Sequence, residues 1–475
     1  MPATIPTELE TEMGPNSSSK KRKSNEDQDI ISNLPDFIID YILSFLPTRD
    51  AVRTCILSKR WIYLWTFVTK LYFNDREQYQ YRNNIGKTRF VNSVYRVLLH
   101  LNTSSIQSFS LSLSEHYNSY HVNQWISAML RRRRLKELYI DSTEKIDIFS
   151  PSLWKSPSLE KLVLVMNVYS MRRKMNFDIR VKVPTCVCLS SLTVLKLSGI
   201  IFTCAPSNDS KKLNLNFPVL KKYETENCTW LNVKGVTFEI PLLEVLLISR
   251  TRVIGSDEPH SVIKFCASRL TKFSYTGCMS DANFLDLSAT QIASANIYPQ
   301  KCKEGSEEEA GFLAYEFLKK FNNKVECLRF NQPEVLVPAG VSLIDLPEFE
   351  MLSRLELDKV AGVMLLFLLI KAPFLKTLIF QELLTFEDDL WDAKCVPCVL
   401  TSLQVVYFGR LKGDKHEVSF AKFVVENAQV LKRASFIASN NLCGLKFDQV
   451  KEKIFSFNKS VGSAVIELKE HISRR

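Results

Sequence analysis

The chain has 475 residues, of which 46% are hydrophobic and 24% charged, with a formal net charge of +11. That length exceeds one ordinary domain and points to two or three units or to a repeat array, and the composition excludes a disordered chain. The longest apolar run, 360–370 interrupted only by Gly362, falls far short of the roughly twenty residues a membrane-spanning helix needs. Twelve cysteines without regular framing, behind no signal peptide, read as reduced thiols, which places the chain in the nucleus and/or cytoplasm. The basic balance favours acidic partners, whether nucleic acid, membrane surface or acidic protein, without choosing among them.

Residues 1–28 are polar and lack periodicity, which predicts a disordered arm. Within it, Lys20, Lys21, Arg22 and Lys23 form a compact basic cluster after three serines. It reads equally as a nuclear import signal or as a solubilising tail.

The stretch 29–73 carries three short helix signals. Pro35 suits the first helical position, where an N–H has no use. Ile38, Ile39, Ile42, Leu43 and Leu46 recur at helical spacing, and Pro47 stops the run. Thr48 is placed to cap a second helix, with Val52, Cys55 and Ile56 on its inner face. Ser58 is placed to cap a third, in which Leu64 and Trp65 share the side of Trp61. A unit this short rarely folds unaided, so an apolar face is left for another protein.

In order and spacing these residues resemble the F-box motif: Leu34-Pro35, Ile39, Ile42-Leu43, Leu46-Pro47, Asp50-Ala51-Val52-Arg53, and Leu57-Ser58-Lys59-Arg60-Trp61 with Leu64-Trp65. The resemblance implies docking on a SKP-type adaptor, and through it on the cullin and RING subunits of an SCF-type ubiquitin ligase. The implied adaptor contacts are Leu34, Pro35, Ile38, Ile39, Ile42, Leu43, Leu46, Pro47, Val52, Leu57, Arg60 and Trp61. Leu34, Pro35, Ile39, Leu46, Pro47 and Trp61 are the expected anchors.

A polar connector opens a helical linker over 74–104, where Phe90, Val91, Val94, Val97, Leu98 and Leu101 share one face. From 105 to 385 a leucine-x-x-leucine-x-leucine core recurs. Copies open at Ile106, Leu135, Leu159, Leu192, Leu220, Leu243, Leu270, Val325, Leu352 and Leu375, with a weak patch around Ile292. Each copy predicts a short strand with inward leucines, then a turn and a helical or irregular return. Stacked copies bury a continuous core under a parallel sheet whose outward side chains line a concave, partner-binding face. Val122 to Leu130 and Val363 to Ile370 read as return helices. Polar insertions at 206–216 and 301–311, the second with three glutamates, read as solvated loops. Arg131 to Arg134 lie where a helix should end, which suits the macrodipole.

The strand copies opened by Leu403 and Leu431 belong to a further region, 386–440. Trp391, Cys395 to Leu400, Leu403, Val405, Gly409, Glu417, Phe423 to Ala428 and Leu431-Lys432 resemble the FBD domain that follows the repeats of many plant F-box proteins. Val399 and Phe423 depart from that pattern, and the resemblance supplies no biochemical role. Residues 441–475 are left as a C-terminal cap.

Chemistry-bearing motifs are sparse. Cys395-x-x-Cys398 lacks the second pair that four zinc ligands require, and Cys186-x-Cys188 has the wrong spacing. No phosphate-binding glycine loop, nucleophile elbow or Walker lysine occurs. The expected fold is therefore α/β: a three-helix F-box, then an irregular leucine-rich-repeat solenoid with a parallel sheet on its concave face. The expected function is a non-catalytic receptor of an SCF-type ligase that presents an unknown protein substrate, without cofactor or metal. The alternative is a nuclear scaffold or nucleic-acid-associated repeat protein that works without the ligase.

Overall fold

The computed structural model describes residues 34–78, 84–101, 106–143, 151–166, 180–183, 187, 189–204, 212–254, 262–289, 291–300, 306–339, 347–386, 391, 400–457 and 462–470. The basic cluster at Lys20 to Lys23 and the cysteines 186, 188, 395 and 398 lie outside them.

The leucine spacing becomes a 15-stranded sheet in which neighbours follow chain order and every pairing is parallel. In the strand Glu137–Ser142, Leu138, Ile140 and Ser142 are buried while Glu137, Tyr139 and Asp141 face out. This period of two repeats through the array, so one face packs inward and the other stays open. A single apolar core runs from Ile39 to Ile466 without a break between the helical head and the repeats.

Three strands enlarge the array beyond the expected copies. Lys70–Asn74 opens the sheet by pairing with Ser108–Leu113, so the supposed end of the F-box unit is already a repeat strand. The weak patch is the eight-residue strand Ile292–Pro299, whose inward positions are Ala295 and Ile297 rather than leucines. The supposed cap contributes Val465–Lys469, paired with Arg433–Ala438. The FBD-like strands Val405–Leu411 and Arg433–Ala438 continue the same sheet.

Returns differ along the chain. Helices Asn84–His100 and Ser119–Leu130 cover the first coils, and Phe90, Tyr95 and Trp125 interlock between them. Arg132 donates to the Leu98 carbonyl at 3.1 Å, in the last turn of the first of these helices. The middle coils return as strands, not helices, forming two further four-stranded parallel sheets. There the corner residues Gly199, Asn227 and Arg250 all take left-handed φ, between 48° and 68°. Each donates its N–H to the carbonyl ending a strand of the next coil, and aromatic pairs such as Phe238–Phe265, 4.8 Å apart, stack through the interior. Helices resume with Glu307–Lys319, Gly362–Ile370, Lys415–Asn427 and Gly444–Ser456. The three glutamates expected in a loop form the first turn of Glu307–Lys319, capped by Ser306 Oγ accepting from the Glu309 N–H at 3.1 Å. Acidic side chains suit that end of the helix dipole. Likewise the second half of the 206–216 insertion is the strand Lys212–Asn216.

Candidate adaptor-docking site

Two true helices form the head, Asp36–Leu43 and Thr48–Arg53, each with a proline at its N-cap. The expected third helix is instead a series of 3-10 turns, Thr54–Ile56, Lys59–Ile62 and Leu64–Phe67. Thr48 does not cap: its hydroxyl is buried and accepts the Tyr72 N–H at 2.7 Å, tying the head to the first strand. Ser58 sits at an N-cap position but makes no capping bond.

These turns set which apolar side chains are free. Ile39, Leu43 and Trp61, named above as contacts, are 0–2% exposed and close the head's own core with Ala51, Leu64 and Trp65. They hold the surface in shape and present none of it. Leu34, Ile38, Pro47 and Val52 are half-buried, and Pro35, Ile42, Leu46 and Leu57 are exposed. Arg60 is committed within the head: its guanidinium donates to the Leu34 carbonyl at 2.6 Å and pairs with Asp36, latching the third segment to the start of the first helix. Ile56, expected inside, is 83% exposed because the helix has ended at Arg53 and the tighter turn rotates it outward.

Sequence reasoning missed the most exposed set. Phe37, Tyr41 and Phe45 lie at i, i+4 and i+8 along the first helix and its end, 65–69% exposed, with Tyr41 and Phe45 edge to face at 4.8 Å. Ile62, Tyr63 and Phe67 are exposed on the later turns. The signal was present as a second apolar period on the face opposite Ile39 and Leu43. So many large apolar side chains in so short a unit exceed the scatter normal on a soluble surface.

The first strand is fixed to the next coil by Asp75, which directly follows it and is 5% exposed. Its carboxylate accepts from the Ser114 N–H and hydroxyl, the Glu115 N–H and the Tyr117 hydroxyl, at 2.8–3.2 Å.

Elsewhere, Asp414, His416 and Glu417 bring donor atoms within 4.8 Å of one another. Their bonds explain the cluster: Asp414 and Glu417 form a capping box, and Glu417 Oε2 accepts from the N–H groups of Lys412, Gly413 and Asp414. A cation at a helix N-terminus would oppose the dipole. Burial drives the Cys228 thiol up to about 12, which removes it as a nucleophile. Among the described residues no helix is long and apolar enough to cross a membrane.

The fold and the site define a class: a leucine-rich-repeat solenoid that carries an apolar F-box head at its N-terminal end. Residues 31–71 match the F-box domain family and residues 393–436 the FBD family. An F-box/FBD/LRR-repeat protein of Arabidopsis thaliana is 27% identical over 461 residues, spanning 93% of this chain and 95% of the relative. A second of the same description is 26% identical over 432 residues, 88% and 90% of the two chains. An FBD-associated F-box protein of the same plant is 27% identical over 446 residues, 89% and 96%. The chain thus carries an F-box domain and an FBD domain, and over most of its length it is similar to F-box/FBD/LRR-repeat proteins of Arabidopsis thaliana.

Proposed function

We propose that this chain, as F-box proteins generally do, serves as a substrate receptor of an SCF-type ubiquitin ligase: its F-box docks on a SKP-type adaptor and its repeats present a protein substrate for ubiquitination. The observation that carries this is the exposed apolar surface of the head, centred on Phe37, Tyr41, Phe45 and Leu57, held over a core continuous with the solenoid. Pro35, Ile42 and Leu46 are also exposed on the head, and Leu34 and Pro47 are half-buried. The chain itself does no bond chemistry in this role; acceleration comes from holding substrate near the loaded conjugating enzyme at high effective concentration.

Co-expression with a SKP-type adaptor, followed by size-exclusion chromatography, tests the proposal. Wild type should co-elute with the adaptor, and Leu34→Ala with Pro35→Ala should not, while remaining folded. A folded wild-type chain that elutes without the adaptor would remove the receptor role.

The nucleic-acid alternative is less well supported by the open sheet face. There Glu224 sits between Lys196 and Lys222, Glu356 between Arg329 and Arg354, and Glu467 between Arg433 and Lys469. Acidic Asp141, Glu226 and Asp358 line the same face nearer the C-terminal ends of the strands, where a phosphate backbone would meet repulsion. Nuclear entry through Lys20 to Lys23 is part of the proposal; loss of nuclear signal in a fluorescent fusion with all four changed to alanine would support it, and unchanged distribution would count against it.

A further inference from the structure

The register of the long sheet shifts between Phe408 and Leu411, where two residues, Gly409 and Arg410, stand opposite Ile437 alone. This is a β-bulge, a device that re-aims a side chain and recurs beside binding sites. A Cβ at Gly409 would meet Gln381 Oε1 at 2.1 Å, so a larger residue there would have to displace that side chain. Beside the bulge lies a hollow of about 340 Å³ lined by Arg410, Lys412, Ser439, Asn440 and Asn441. All five can donate hydrogen bonds and none is a carboxylate.

The hollow is held firmly. The Lys412–Asp414 backbone is clamped by its three N–H bonds to buried Glu417, and Gly413 supplies the left-handed φ of 75° that this turn needs. Ser439 is anchored by its N–H on the Leu411 carbonyl at 2.7 Å. Its hydroxyl is buried and has no partner among the described residues, and such a group calls for an explanation. Charge is in surplus: Lys359 and Lys412 share the single carboxylate of Glu382, while Arg410 is exposed and has no ion pair among the described residues.

We propose that this hollow binds a phosphoryl group. A planar fork on Arg410, a second cation and several neutral donors match a tetrahedral dianion better than a carboxylate, which offers only two oxygens. Arg410 and Lys412 lie within the FBD match and Ser439 to Asn441 just beyond it, so the site gives that domain a role independent of adaptor docking. The group is carried either by a phosphorylated side chain of a partner or by a free phosphate compound.

The full-length chain should be titrated calorimetrically with inorganic phosphate and with a capped phosphoserine tripeptide, at constant ionic strength set by chloride. Saturable binding is expected, weakened at least tenfold by Arg410→Ala, less by Arg410→Lys, and not by Lys272→Ala on the same sheet. Arg410→Gln, which keeps the bulk of the side chain, guards against a folding defect and should also weaken binding. Tighter binding of the tripeptide than of phosphate would identify a modified partner as the source, and equal binding a free phosphate compound. Absence of saturable binding, or equal weakening by Arg410→Ala and Lys272→Ala, would overturn the proposal. Adaptor co-elution is unaffected by either result, so failure here is separable from failure of the receptor role.

Discussion

Single residues in this chain divide into those that hold surfaces and those that are the surface. Ile39 and Tyr41 are two positions apart, yet one is wholly buried and the other 65% exposed. Ile39→Ala should therefore destabilise by about 2–5 kcal/mol, as for large-to-small changes in a packed core, read as a lowered denaturation midpoint. Phe37→Ala with Tyr41→Ala should leave that midpoint within error but weaken adaptor binding by at least tenfold in a pull-down titration. Glu417 offers a test by pH. Burial raises its carboxyl above the ordinary range despite three opposing backbone N–H bonds. The folded state then holds a proton that the unfolded state has released, so this group's contribution to stability falls as pH rises from the ordinary carboxylate range through the raised folded value. Glu417→Gln should remove that component, and denaturation of both proteins at several mildly acidic pH values would show it. Parallel pH profiles would exclude it.

At the scale of elements, leucine spacing announced most strands, because a strand that buries alternate side chains must repeat them. It missed Ile292–Pro299 because alanine fills an inward position there, and Lys70–Asn74 because its residues were absorbed into the helical head. The third F-box segment read as a helix from its apolar spacing, but 3-10 turns share that three-residue repeat over so short a run. Equally hidden was the change of return from helix to strand in the middle coils. The interior there depends on stacked rings, so Phe238→Ala, which removes the ring packed against Phe217, Tyr223, Trp230 and Phe265, should cost about 3–5 kcal/mol. Chemical denaturation would measure it, and a loss under about 1 kcal/mol would show that the coil collapses around the gap.

For the whole molecule, one core and one sheet join the head to the last strand. Asp75 ties the first strand to the next coil, and its replacement by alanine would remove the acceptor of several part-buried donors at once, a loss of about 2–4 kcal/mol. The far end has the opposite exposure. Truncation after Ser456 would strip Val465–Lys469 from the sheet and leave the Arg433–Ala438 strand as a bare edge. Self-association visible by light scattering is the expected outcome. The sequence by itself determined the architecture and the likeness to F-box proteins, because both rest on periodic apolar residues and on a short, crowded motif that local physics can read. Which F-box side chains face outward, where Arg410 points and how the head is clamped were decided only by the tertiary structure. Exposure, a bulge's register and a buried carboxylate's partners depend on residues up to 42 positions apart in sequence, and no local pattern records them.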